Sequence, residues 1–138
     1  MGPLPDGRDS PSGHDVALIE DEQLRQLVAL DPDGSLTLVE QILAEFDANL
    51  GERFAQLATA SVEGDADALG RVAHALRGGC LQFGMVRAAS YCATLEEHAK
   101  RGETSGCGEL VGMVTSAVTE SVQLIPARLQ AIREAPAK

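Results

Sequence analysis

Apolar side chains recur along most of this chain at steps of three and four, and polar residues fill the positions between them. Residues 18–30 read as a short amphipathic helix with Leu24, Leu27 and Val28 inward. The turn- and cap-rich run Asp31-Pro32-Asp33-Gly34-Ser35 breaks it. Residues 36–61 then place Val39, Leu43, Phe46, Leu50, Phe54 and Leu57 at steps of 4, 3, 4, 4 and 3, one stripe of a long helix. Gly64 ends it, and Asp65 caps the helix that follows. That helix, 66–83, carries Leu69, Ala73, Leu76, Cys80 and Phe83 on one stripe and stops at Gly84. A fourth helix over 85–101 turns Ala89, Cys92, Leu95 and Ala99 inward and stops at Gly102. The last runs from about Glu109 to Ile132 with Leu110, Val114, Ala117, Leu124 and Leu129 inward, and Pro126 is expected to kink or interrupt it.

Strand alternation and internal repeats are both missing. Four long helices joined by short loops predict an all-α fold, an antiparallel up-and-down four-helix bundle with a short additional N-terminal helix. The bundle is expected over 18–133, with tails at 1–17 and 134–138. The N-terminal tail holds Gly2, Pro3, Pro5, Gly7, Pro11 and Gly13, and nothing periodic, which predicts disorder. His14 falls in this tail without chemical context.

Composition narrows the function. The chain has 138 residues, enough for one domain, and 44% of them are hydrophobic. Phe46, Phe54, Phe83 and Tyr91 are its only aromatic residues, so the core must be aliphatic and alanine-rich, which suits helix packing. The net charge of −10 argues against a nucleic-acid groove or an anionic membrane as the main partner. No apolar run is read as long enough to span a bilayer, and no export signal is visible, so the cytoplasm is the expected compartment. Cys80, Cys92 and Cys107 are odd in number and widely spaced, which disfavours a disulfide framework or a structural zinc site.

One residue departs from the packing pattern. On a helical wheel His74 lies roughly 140° from the core stripe of its helix, on the solvent side. Its neighbours one turn away are Gly70, Arg71, Arg77 and Gly78. Each glycine inside a helix costs roughly 1 kcal/mol relative to alanine, so the local sequence is not tuned for stability. Short side chains above and below the imidazole clear access to it. The arginines disfavour imidazolium and can bind phosphoryl oxygens. A cleared, exposed histidine with basic flanks suits carriage of a phosphoryl group, although an ordinary solvated histidine and close-packing glycines account for the same residues.

At these positions the chain resembles the histidine-containing phosphotransfer (HPt) domains of bacterial phosphorelays. The likeness runs through His74-Ala75-Leu76-Arg77-Gly78, then Gly84, then Cys92 with the Leu95-Glu96 pair, and is preceded by Gly64-Asp65 and Leu69. Phe46 follows Glu45 in the Glu-Phe pair that such domains often show. The likeness is densest over 63–102. Two departures stand out: the family's usual lysine is Arg77, a planar fork in place of a point charge, and Gly79-Cys80 replaces small polar residues.

The resemblance implies that His74 is the phosphoacceptor, with Arg77 and Arg71 steadying the phosphoryl oxygens. The partners implied are a response-regulator receiver domain, a sensor histidine kinase, or both. Mg²⁺ is expected in the receiver, and no cofactor in this chain. Leu81 and Met85 are candidates for an apolar docking patch near His74. No ATP-binding or kinase motif is present, so a phosphocarrier is expected rather than an enzyme, acting as a monomer without nucleic acid or membrane. The alternatives are an unphosphorylated HPt-like binding module and a purely structural helical bundle; the latter predicts a buried imidazole. His98, among Glu96, Glu97, Lys100 and Arg101 near a helix end, reads as a solvated residue there.

Overall fold

The computed structural model describes residues 16–31 and 33–135, so His14, the first fifteen residues of the expected tail, Pro32 and residues 136–138 lie outside the described residues. Five helices follow one another: α1 (Asp21–Ala29), α2 (Thr37–Glu63), α3 (Ala66–Gln82), α4 (Val86–Lys100) and α5 (Cys107–Glu134). No strand occurs among the described residues.

The helix ends are chemically determined. Gly64 adopts φ 73° and closes α2 in the left-handed conformation that a side chain would disfavour. Asp65 then accepts a hydrogen bond from the Ala68 amide at 3.0 Å and caps α3 as its side chain predicts. Helix α1 begins at Asp21, three residues later than the periodicity suggests, because Leu18–Glu20 form no helix and the backbone of Glu20 serves another purpose. Its amide donates to the Gly84 carbonyl at 2.8 Å, and Arg87 Nε donates to the Val16 carbonyl at 3.0 Å. The N-terminal segment is thereby tied to the α3–α4 turn. Gly84 sits in that turn at φ 72°, and a Cβ there would lie 2.2 Å from the Glu20 carbonyl oxygen. At its other side α1 is held to α5 by the Asp21–Arg128 ion pair at 2.7 Å.

Packing follows the stripes. Helix α3 lies against both α2 and α4, α5 lies against α4 and α2, and α1 covers α5 and touches α3. Leu69, Ala73, Leu76, Cys80 and Phe83 are all buried, as are Val39, Leu43, Leu50 and Leu57 on α2. Helices α3 and α4 run antiparallel: Gly70 faces Ala99 and Arg77 faces Glu96, so residues pair about the turn at Gly84. Val28, Phe46, Phe54, Ala99 and Leu110 are only partly buried.

Helix α5 continues through Pro126, so the interruption, one of the two outcomes expected there, does not occur. The proline removes one backbone donor, but Ile125 and Leu129 on either side of it are fully buried and hold the helix in register. Leu124, expected inward, is 41% exposed, and Ser121 and Ile125 occupy the core seam in its place. Ser121 enters the core because its hydroxyl donates to the Ala117 carbonyl at 2.7 Å, leaving its donor satisfied inside the helix. By length and composition α5 is also long and apolar enough to cross a membrane, contrary to the reading from the bare sequence. Its apolar side, through Val111, Val114, Val118, Ile125 and Leu129, is buried among the other helices.

Candidate functional site

The site is built on the outer face of α3 and completed by α4. His74 stands opposite the buried stripe, and its side chain is 71% exposed. Glu96 projects from α4 toward it and is only 13% exposed. Its Oε1 lies 3.0 Å from His74 Nδ1. The Arg77 guanidinium grips the other carboxylate oxygen through Nε and reaches Oε1 with Nη2 at 3.4 Å. His74, Arg77 and Glu96 thus form one connected polar cluster across two helices.

Electrostatics favours the charged forms of Glu96 and Arg77. Burial alone would raise the Glu96 carboxyl, but the hydrogen bonds from Arg77 and His74 and the Arg77 charge outweigh it, and the group is held below its ordinary value. Glu96 holds Arg77 more firmly protonated through its hydrogen bond and its charge. An ionised carboxylate only accepts hydrogen bonds. In the neutral ring, Nδ1 therefore carries the proton and donates to Glu96, and the 3.4 Å separation from Arg77 Nη2 to Nδ1 is a contact between two donors rather than a bond. The lone pair is left on Nε2.

The flanking glycines divide into two kinds. Gly78 has nothing within 4 Å of where a Cβ would stand, so it does leave the space beside His74 open. Gly70 is a packing residue: a Cβ there would lie 3.0 Å from the Ala99 Cβ on α4. Gly79, one of the departures from the family pattern, is where the Phe46 ring of α2 rests, 2.6 Å from a virtual Cβ. Cys80 is fully buried, which fits a packing role.

Two expectations need correction. Met85 does not belong to a docking patch; it is fully buried, because the tight turn at Gly84 folds it under the α3–α4 junction. Leu81 is 42% exposed and keeps its candidacy. Arg77 does not act on His74 as an uncompensated cation either, because its charge is committed to Glu96. Arg71 has no hydrogen-bond or ion-pair partner among the described residues and lines a shallow groove between α3 and α4 with Asp67, Gly70, Glu96 and Lys100.

In the sequence Glu96 reads only as part of the family motif and of a solvated face. The α3–α4 hairpin offers a signal for its role: reflecting position 74 about the Gly84-Met85 turn lands on 95–96. His98 lies 3.4 Å from Glu103 Oε1 at the end of α4, away from this cluster. The three cysteines are free and buried, and burial pushes the Cys107 thiol up; the Cys92 thiol is pushed up by its hydrogen bond with Cys80 and by burial. Among the described residues no group of three His, Cys, Asp or Glu side chains could hold a metal ion.

The site is thus an exposed imidazole whose Nδ1 is held by a carboxylate and whose Nε2 faces solvent on an open flank of α3. The Hpt domain family model matches residues 41–135, and the chain belongs to that family, whose members are phosphocarrier intermediates of two-component phosphorelays rather than kinases. Among solved structures, the chain is similar to the crystal structure of histidine-containing phosphotransfer protein B (HptB) from Pseudomonas aeruginosa PAO1, at 29% sequence identity and a TM-score of 0.68. That match covers 83% of this chain and 96% of the other. No curated protein matches the chain significantly.

Proposed function

We propose that this protein accepts a phosphoryl group on Nε2 of His74 from the aspartate of a receiver domain, or from a partner kinase, and passes it to another receiver aspartate. The observation that carries the reading is the pairing of a 71% exposed ring with a carboxylate on Nδ1. The structural-bundle alternative requires a buried imidazole, and this one is in solvent. The scaffold for the reading is the antiparallel up-and-down four-helix bundle, supported by the closed cycle of packing from α2 through α3, α4 and α5 back to α2.

The chemistry balances without a base. The Nε2 lone pair attacks phosphorus in line, the acyl-phosphate P–O bond breaks, and the donor aspartate leaves as a carboxylate. The Nδ1 proton stays in place, so the phosphorylated ring becomes an imidazolium, and Glu96 faces that positive charge through the hydrogen bond it already makes. In the return step a second receiver carboxylate attacks phosphorus, the Nε2–P bond breaks, and the ring becomes neutral again. Arg71 supplies positive charge for the phosphoryl oxygens, and Arg77 positions Glu96 while presenting Nη2 on the imidazole side. Mg²⁺ belongs to the receiver. Leu81 and the open surface at Gly78 meet the partner.

The test is incubation with receiver domains loaded on their aspartate by a small phosphodonor. The wild-type chain acquires an acid-labile, base-stable phosphate, and His74→Gln acquires none. Undiminished labelling of His74→Gln would remove the assignment.

A further inference from the structure

Nearly all the positive charge on the described surface is spoken for. Arg25 pairs with Glu22, Arg77 with Glu96, Arg101 with Glu97 and Glu103, and Arg128 with Asp21. Lys100 reaches Glu97, Arg133 reaches Glu134, and Arg87 donates to a backbone carbonyl. Only Arg53 and Arg71 have no such partner among the described residues. These two come from different helices, and they line the same groove between α2 and α3.

The groove lies beside the phosphoacceptor. Its α3 wall includes Arg71, one turn before His74, and Ala75, the residue after it. Its α2 wall includes Asn49 and Gln56, whose amides offer further donors, and Glu52, whose carboxylate accepts from Gln56 at 3.5 Å. At about 240 Å³ and open to solvent, the groove is smaller than the roughly 300–1,000 Å³ of small-molecule pockets. It suits side chains presented by a macromolecule. Elsewhere a chain of net charge −10 repels an acidic partner, so two uncompensated arginines at one edge of the site favour a single direction of approach.

We infer that the α2–α3 groove is the electrostatic anchor for the partner receiver, with Arg53 receiving a carboxylate from an acidic edge of that domain while Arg71, at the His74 end of the groove, faces the phosphoryl group. The inference rests on the phosphocarrier reading and adds to it a docking direction, a partner surface chemistry and a specificity residue, Arg53, that lies on α2 and outside the His74–Arg77–Glu96 cluster.

The experiment measures phosphotransfer from a receiver that labels wild-type His74, loaded with acetyl phosphate, across receiver concentrations at low and high salt. Arg53→Glu raises KM about tenfold at low ionic strength, leaves kcat at saturating receiver within twofold, and loses most of the difference at about 0.5 M salt. Arg53→Gln lies between wild type and Arg53→Glu, and it guards against a folding defect of the reversal. An unchanged KM in both variants, or a fall in kcat with KM constant, overturns the docking direction while leaving the phosphocarrier reading intact. Failure of every receiver to label the wild-type chain overturns that reading, and the inference with it.

Discussion

Gly78 and Gly79 are adjacent in the same helix, yet replacing each with alanine is expected to move stability in opposite directions. The propensity gain is the same for both, about 1 kcal/mol. At Gly78 the added methyl meets nothing within 4 Å, so the gain is realised. For a domain of this size it raises Tm by about 3–5 °C. At Gly79 the methyl would stand 2.6 Å from Phe46 Cε1 and 3.0 Å from Cδ1. That ring is also packed on Phe83, with centroids 5.3 Å apart, and Phe83 is fully buried, so it has little room to retreat. Overpacking of this kind costs about 1–3 kcal/mol, which turns the gain into a net loss of about 1 kcal/mol. Thermal and urea unfolding of Gly78→Ala and Gly79→Ala measure both. If Gly78 keeps the approach to His74 clear, the more stable Gly78→Ala protein also transfers phosphate less well, with kcat/KM down about tenfold from misplacement of the docked partner. Equal stabilisation of both variants would show that Phe46 yields freely. A stabilised Gly78→Ala with unimpaired transfer would remove the access argument.

Three further variants test the site and its surroundings. Glu96→Gln is expected to cost about 1–2 kcal/mol at neutral pH by leaving Arg77 without its charge partner. Because the folded-state Glu96 carboxyl is held low, its contribution is complete above the ordinary glutamate value of 4.5 and is lost as pH falls through the folded value. Acid unfolding curves of wild type and Glu96→Gln therefore converge below that range, and a constant gap down to low pH would contradict the cluster. Met85→Ala is expected to destabilise by about 2–4 kcal/mol through the cavity it leaves. Leu81→Ala changes stability by less than about 1 kcal/mol and raises the transfer KM; the reverse order of stabilities would contradict the burial assigned to the two residues.

Most of the fold was legible because burial of a helix is periodic. The stripe Leu69–Ala73–Leu76–Cys80–Phe83 and the stripe along α2 need no knowledge of what packs on them. The exposure of His74 was legible for the same reason, as the complement of its helix's buried face. What escaped depends on partners distant in sequence. Glu96 is 22 residues from His74, and its role appears only once the Gly84 turn sets the register of α3 on α4. Met85 borders an exposed helix face on the wheel but belongs to the turn. Ser121 is polar, so the apolar pattern runs the seam of α5 through Leu124, whereas the Ser121 hydroxyl is satisfied within its own helix. Gly70 reads as clearance for His74 in the sequence, and the neighbour that makes it a packing residue, Ala99, lies on another helix.

If Glu96 occupies Nδ1 and leaves Nε2 to carry the phosphoryl group, the phosphorylated ring is a single isomer. Phosphorus and nitrogen NMR of the phosphorylated chain, made with ¹⁵N-labelled histidine, distinguishes the two ring isomers directly. A single phosphohistidine with phosphorus bonded to Nε2 of His74 is expected. Phosphorus on Nδ1, or on any residue other than His74, would contradict it.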